Sequence, residues 1–284
     1  MISNLTRRRY TNHSVKTVSF LATLFGIFFL GWILYTVIKM GGSALELSFF
    51  TNPTKPYGIP DGGIANAIAG TFYITSVAAI MGVPLGLMAG VYLSEYGSQS
   101  RLGDVIRFSA NVMMGLPSII VGLFVYSLVV VTTKHFSGFA GSIALAIIMF
   151  PVVTRTTEDM LSMVPNALRE ASLALGMPRW RATLDIIFRS AKSGLVTGIL
   201  LSIARVSGET APLLFTALWS DSWTTGNSFF TQPTANLTVT ITEYATNSPF
   251  AVIQSRAWGA ALFITVAILI LNITVRTLLK DKKI

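Results

Sequence analysis

The stretch DMLSMVPNALREASLALGMPRWRATLDIIFRSAK, residues 159–192, is a polar segment between two long apolar runs. Proline suits the first turn of a helix and glycine suits the position after its end, so Pro165 and Gly176 predict a short helix over 166–175. About half of this helix is apolar, and a second helix can begin at Pro178. A short amphipathic helix of this kind either lies on a bilayer surface or docks into the groove of a partner protein.

The runs on both sides belong to a chain with the composition of a membrane protein. Of its 284 residues, 52% are hydrophobic and 12% are charged, whereas a soluble domain carries about 25% charged residues. Six apolar runs are long enough to cross a hydrocarbon core of roughly 30 Å as helices. We therefore predict an all-α membrane protein with six transmembrane helices. The spans are 17–38, 64–93, 108–131, 138–157, 194–218 and 257–279.

The basic residues predict the orientation of these spans. Most of the 21 lysine and arginine residues fall at the two termini and in the second and fourth loops. Only Lys39, Lys55, Lys134 and Arg256 fall in the loops on the other side. This bias places both termini in the cytoplasm. The net charge of +9 is then a topology signal, and it does not indicate nucleic acid binding.

Several function classes are excluded or disfavoured by missing residues. The chain has no cysteine and two histidines, His13 and His135, which lie in distant segments and predict no metal site. The sequence lacks the glycine-rich, lysine-containing phosphate loop by which many ATPases bind ATP. It also lacks a catalytic constellation, so we expect a protein that is not an enzyme and takes its energy from another subunit or from an ion gradient.

The fifth predicted span carries two opposite charges. Arg205 and Glu209 are four residues apart, which places them on one face of a continuous helix, together with Ser202 and Thr216. A charge at mid-bilayer costs about 2.5 to 3.5 kcal/mol, so such residues usually face a bundle interior or a watery cavity. Two interpretations stay open. The pair is purely structural, or the four residues line a path in which the Arg205 guanidinium meets a tetrahedral oxyanion.

Small residues and prolines predict how two of the spans pack. Gly82, Gly86 and Gly90 in the second span have the four-residue spacing that lets helix backbones approach closely, and Pro84 predicts a kink. Pro117 likewise predicts a kinked, packed helix in the third span.

The outer loop 219–256 is the longest segment on the side opposite the termini. Its stretch LTVTIT, residues 237–242, alternates with a period of two and suits a short strand, although a re-entrant or surface helix over 236–254 suits it equally. We expect this loop and residues 41–61 either to contact a solute-binding protein or to cap the helices.

The polar segment also carries a specific motif. Glu170-Ala171-Ser172, followed by Gly176 and Ile186 at fixed spacing, resembles the EAA loop of permease subunits in ABC importers. The Leu-Pro pair that usually ends this motif is replaced by Phe188-Arg189, which leaves the second helix free to run on. Four further stretches are similar to the permease subunits of bacterial phosphate ABC importers, over about residues 60–279. They are GGIANAIAGTFYITSVAAIMGVPLGLMAGVYLSEY (62–96), LPSIIVGLF (116–124), FPVVTRTTEDML (150–161) and ARVSGETAPLLFTA (204–217).

This resemblance implies a MetI-like ABC permease fold in the bacterial inner membrane, with a cytoplasmic coupling helix that enters a cleft on an ATPase dimer. The partner ATPase would carry ATP and Mg, a second related permease would complete the path, and a periplasmic phosphate-binding protein would deliver the substrate. Arg205 and Glu209 lie where the family has intramembrane charges tied to phosphate passage. The coupling residues implied are Glu170, Ala171, Ser172, Leu173, Leu175 and Gly176.

Other functions remain open at the level of sequence. They are import of another oxyanion such as sulfate or molybdate, ion-coupled transport by this chain alone, and a non-transporting membrane scaffold. The expected organisation is a cytoplasmic segment 1–16, a first helix with its outer loop 17–63, a permease core 64–279 and a cytoplasmic tail 280–284.

Overall fold

The computed structural model describes residues 2–56, 58–59 and 62–278, so the predicted tail and the last residue of the sixth predicted span lie outside it. All the regular structure in the described residues is helical. The helices are α1 (Ile2–Gly41), α2 (Leu47–Thr51), α3 (Ala65–Val91), α4 (Arg101–Gly115), α5 (Ser118–Val125), α6 (Val131–Thr133), α7 (Gly138–Ser162), α8 (Asn166–Ala174), α9 (Arg179–Ala182), α10 (Phe188–Ser207), α11 (Ala211–Thr216), α12 (Ser228–Thr231), α13 (Leu237–Thr246) and α14 (Ala251–Leu278).

The predicted apolar segments are present as membrane-crossing candidates. Within the described part of the chain, five helices are long and apolar enough to cross a bilayer, and a bent helix pair supplies a sixth candidate. The π-helical segments Tyr92–Tyr96 and Thr183–Ile187 continue α3 and join α9 to α10 without a break. The five single spans are Arg7–Ala44, Ala65–Tyr96, Gly138–Ser162, Arg179–Ser207 and Ala251–Thr274.

The third predicted span differs from the expectation of one kinked helix. Arg101–Gly115 and Ser118–Thr133 meet at an angle of 102°. Between them Leu116 is extended, with φ −73° and ψ 135°. A residue that precedes proline is disfavoured in the helical region. Helix α4 therefore ends at Gly115, before Leu116, and α5 begins at Ser118, directly after Pro117. The segment 108–131 is therefore part of two helices with a sharp break at Leu116 and Pro117, and the prediction of one kinked helix there is wrong.

Helix α7 lies at the centre of the bundle. In its most apolar stretch 61% of the residues are buried, a larger share than in the other four single spans. Its most extensive neighbour is α3, which meets it through the predicted glycines: a Cβ on Gly90 would lie 2.5 Å from Thr157 Cβ, and one on Gly86 would lie 2.7 Å from Val153 Cβ. The close packing predicted from the glycine spacing is confirmed.

The first span stands apart from this bundle. None of the residues in its most apolar stretch is buried. It touches the rest of the chain mainly at its end, where a Cβ on Gly41 would lie 2.6 Å from the carbonyl oxygen of Trp258 in α14. The body of the protein is thus formed by the helices that follow α1.

The loop 219–256 and the segment that follows α1 are bonded to each other. The Asn236 side chain accepts a hydrogen bond from Val239 N (3.0 Å) and starts α13, so residues 237–242 are helical and the strand alternative is wrong. Tyr244 in α13 donates to Lys55 O and accepts from Lys55 N, both at 3.0 Å. These contacts fix the long outer loop to the segment that follows α1.

Candidate functional site

The fifth predicted span is broken between its two charges. Helix α10 ends at Ser207 and α11 begins at Ala211, so Arg205 lies in the last turn of α10 and Glu209 in the link. Gly208 N donates to Arg205 O (3.2 Å), which forms the tightened final turn that often ends a helix. Pro212 lies in the first turn of α11, a position that suits proline. The prediction of one continuous helix over 194–218, with both charges on one face of it, is wrong.

Both charges nevertheless line one cavity of about 100 Å³. It lies where the two broken helices meet, between the α4–α5 break and the α10–α11 link. Ser118, in the first turn of α5, brings the positive end of that helix dipole to the cavity wall. The other lining residues are apolar and come from α4, α5, α7 and the α4–α5 link: Met113, Met114, Leu116, Val121, Ile148 and Val152.

The two charged side chains do not neutralise each other. Within residues 2–56, 58–59 and 62–278, the Arg205 guanidinium and the Glu209 carboxylate form no ion pair and no hydrogen bond. Arg205 is exposed and Glu209 is partly exposed. A guanidinium has five donors and no acceptor, so an oxyanion in this cavity would find unused donors.

The backbone of the α10–α11 link is held in place by α13. Thr238 Oγ1 in α13 donates to the carbonyl oxygen of Glu209 (3.0 Å). Helix α11 packs on α5 so closely that a Cβ on Gly122 would lie 2.6 Å from Pro212 Cα. The unwound link is therefore a defined structure between packed helices, and it sets the position of Glu209.

The other two predicted path residues are not brought to the cavity. Ser202 is 1% exposed and donates to Ile199 O (2.7 Å), and Thr216 is fully buried and donates to Pro212 O (2.7 Å). Both hydroxyls are satisfied by their own helices. The carbonyl oxygen of Thr216 accepts from Ser137 N (3.0 Å), just before the start of α7.

The short helix predicted over 166–175 is present as α8, and its end has the expected geometry. Gly176 has φ +83°, Gly176 N donates to Leu173 O (2.9 Å) and Met177 N donates to Ser172 O (3.2 Å). This is the glycine-based Schellman end of a helix. Leu173 and Leu175 are 41% and 83% exposed. Of the other residues predicted to couple to an ATPase, Glu170 and Ala171 are exposed and Ser172 is buried.

The sequence and fold match known transporter components. Residues 82–281 match the family of binding-protein-dependent transport system inner membrane components. The chain belongs to this family. The phosphate transport system permease protein PstA of Yersinia pestis is 49% identical over 97% of this chain and 92% of that protein. PstA 1 of Mycobacterium tuberculosis (strain H37Rv) is 40% identical over 94% of this chain and 87% of that protein.

The fold of this permease also resembles solved ABC importers. An inward-facing structure of the MetNI methionine ABC transporter matches with a TM-score of 0.60 at 16% identity, over 76% of this chain and 92% of that chain. An amino acid ABC transporter crystallised with histidines matches with a TM-score of 0.52 at 18% identity. The predicted all-α, MetI-like permease fold is thereby confirmed.

Sequence reasoning missed the ion pairs of the permease. Arg169 is paired with Glu95, 74 residues earlier, and Arg107 with Glu158, 51 residues later. Helical spacing rules find partners three or four residues apart, so they cannot find these pairs. The only available signal was the presence of charges next to apolar spans. Among the described residues, the acidic and histidine side chains form no group of three suited to a metal ion.

Proposed function

We propose that this permease subunit forms, with a second and related permease, the membrane path of an ATP-driven importer of inorganic phosphate. The observation that carries the proposal is the cavity at the two helix breaks, where Arg205 has free donors in a chain similar to PstA proteins. Discontinuous helices are a recurrent way to build substrate sites inside membranes. The guanidinium fork suits a tetrahedral oxyanion.

In this proposal the negative charge of Glu209 opposes the attraction of Arg205 for the anion. A carboxylate on the same wall lowers the affinity of the cavity for an anion, which allows phosphate to leave after it has entered. Favourable entry combined with ready release is what conduction needs. Ser202 and Thr216 then serve the packing of the helices that hold the two charges.

The remaining partners belong to the same proposal. Helix α8 docks on a cytoplasmic ATPase dimer through its exposed leucines, and that dimer carries ATP and Mg. Both termini are cytoplasmic, as the distribution of basic residues predicts. The outer cap formed around α13 faces the periplasm, where a phosphate-binding protein delivers the substrate.

Labelled phosphate uptake at limiting phosphate tests the proposal. Cells with the wild-type chain and with Arg205→Gln are compared at equal membrane abundance, and Arg189→Gln on the same helix α10 is the matched control. Arg189 is exposed and lies outside the cavity. Loss of a charge-assisted hydrogen bond of about 1.5–3 kcal/mol should lower uptake in Arg205→Gln by about 10- to 100-fold.

Three outcomes would contradict the proposal in different ways. Equal uptake by wild type and Arg205→Gln would remove Arg205 from the path. Uptake of sulfate or molybdate in place of phosphate would assign the permease to another oxyanion. Uptake that continues without a functional ATPase would favour an ion-coupled transporter.

A further inference from the structure

Arg169, the residue just before the EAA-like motif, links α8 to two membrane spans. We call α8 the docking helix, because it is the helix proposed to dock on the ATPase. Its guanidinium binds Glu95 through Nε–Oε2 (3.2 Å) and Nη2–Oε1 (2.9 Å). It also donates to Leu161 O (2.7 Å), to Val164 O and to the side chain of Asn166 (3.2 Å). Five hydrogen bonds use the full donor capacity of an arginine.

This contact is shielded from water and tied to rigid elements. The side chains of Arg169 and Glu95 are 19% and 9% exposed. Glu95 lies in the last turn of the span Ala65–Tyr96, and Leu161 lies in the last turn of α7. Helices α3 and α7 are the closest-packed pair of spans. A displacement of α8 at Arg169 must therefore move both spans together or break the Arg169–Glu95 ion pair.

A second arginine continues the connection toward the cavity. Arg107 in α4 donates to Leu93 O (3.1 Å), two residues before Glu95, and to Glu158 Oε1 (2.7 Å) in α7. Helix α4 then runs to Met113 and Met114, which line the cavity beside Arg205. Two arginine contacts thus join the docking helix, the cytoplasmic end of the second span and the cavity wall.

The other end of α8 has no comparable link within the described residues. Its C-terminal half carries the exposed Leu173, and the exposed Leu175 follows at the C-cap, before the Gly176 turn. Ser172 Oγ bonds back to Arg169 O (2.7 Å) inside the same helix. Within the described residues, the side-chain hydrogen bonds from α8 to the membrane spans are therefore those of Arg169.

We propose that the Arg169–Glu95 pair is the positioning element that transmits movement of the docking helix to the second and fourth spans. This rests on the proposed function, because it assigns the energy-coupling step of that importer. Neither residue lines the cavity that holds Arg205. Loss of the pair should let α8 follow the ATPase while the spans stay behind, so that ATP is hydrolysed without transport.

The test uses the complete transporter complex in proteoliposomes, with phosphate moved per ATP hydrolysed as the readout. The variants are Glu95→Gln, Arg169→Gln and the double variant, and the matched control is Asp185→Asn. Asp185 forms an exposed ion pair with Arg181 on the same cytoplasmic segment, with side chains 44% and 62% exposed. Exposed pairs of this kind contribute little.

We expect each single variant to lower the ratio by about fivefold or more, the low end of coupling between sites. The double variant should be no worse than the worse single one, because both changes remove the same contact. ATPase attachment and hydrolysis should stay near the wild-type level, as should the ratio in Asp185→Asn.

Two results would overturn the inference. The first is an unchanged ratio of phosphate moved to ATP hydrolysed in Glu95→Gln. This variant keeps the shape of the side chain, so its result is decisive even if Arg169→Gln fails to accumulate. The second is a parallel loss of ATPase attachment and transport, which would make the pair a structural anchor only. Absence of ATP-driven phosphate uptake by the wild type would instead refute the proposed function.

Discussion

Two groups of charged side chains lie within the helical bundle, and their partners differ. Around Glu158, one oxygen accepts from Arg107 (2.7 Å), the other from Arg155 (3.4 Å), and Arg155 also reaches Asp159 (3.3 Å). At the cavity, the side chains of Arg205 and Glu209 form no ion pair or hydrogen bond in the described part of the chain. The residue types are the same, and only the pairing differs.

This difference separates structural charges from charges that are available to a ligand. A charge removed from water must be paired or hydrogen-bonded, and a paired arginine has few donors left for a substrate. The Glu158 group therefore fixes how α4 and α7 meet. The cavity charges, which face open space at two helix breaks, keep their hydrogen-bonding capacity.

The largest expected effect is a loss of stability, which tests whether the Glu158 group is structural and the cavity charges are not. Glu158→Gln should lower the free energy of unfolding by about 1–3 kcal/mol, because Arg107 and Arg155 lose their shared anionic partner in a shielded place. Glu209→Gln should change it by less than about 0.5 kcal/mol, because no protein partner is lost. Thermal unfolding of the detergent-solubilised chain measures both. Equal losses would show that Glu209 is also structural.

Local chemistry explains which parts of this arrangement could be predicted from the sequence. Helix α8 and its end at Gly176 follow from a proline and a glycine at fixed positions, and the structure confirms both. The apolar spans follow from length and hydropathy. The helix breaks had signals in the sequence: Gly208 lies in one link and Pro212 follows it, whereas Pro117, which predicted only a kink, lies in the other link.

The pairing of charges depends on contacts that spacing along the chain does not encode. Arg205 and Glu209, four residues apart, suggested a helical pair, yet the helix ends between them. Arg169 and Glu95 offered no local pattern, yet two hydrogen bonds join them. Sequence reasoning thus located the cavity charges but could not say which arginines were already occupied.

A smaller effect should distinguish charge from geometry at the cavity. Arg205→Lys keeps the positive charge but loses the planar fork that binds two oxyanion oxygens at once. Phosphate uptake should fall by about two- to tenfold, the effect of one hydrogen bond worth about 0.5–1.5 kcal/mol. Arg189→Lys on the same helix serves as the control. Wild-type uptake in Arg205→Lys would mean that only the charge is used.

The smallest effect concerns Ser202, which the sequence placed beside Arg205 in the path. Its hydroxyl is buried and bonded to Ile199 O in its own helix, so Ser202→Ala removes no contact with the cavity. Alanine favours the helix by about 0.5 kcal/mol, and uptake should stay within about twofold of wild type. The same uptake assay measures it, at equal membrane abundance. A loss as large as that of Arg205→Lys would mean that α10 rotates during transport and presents this hydroxyl to the substrate. The division between structural and available groups would then hold for only one state of the permease.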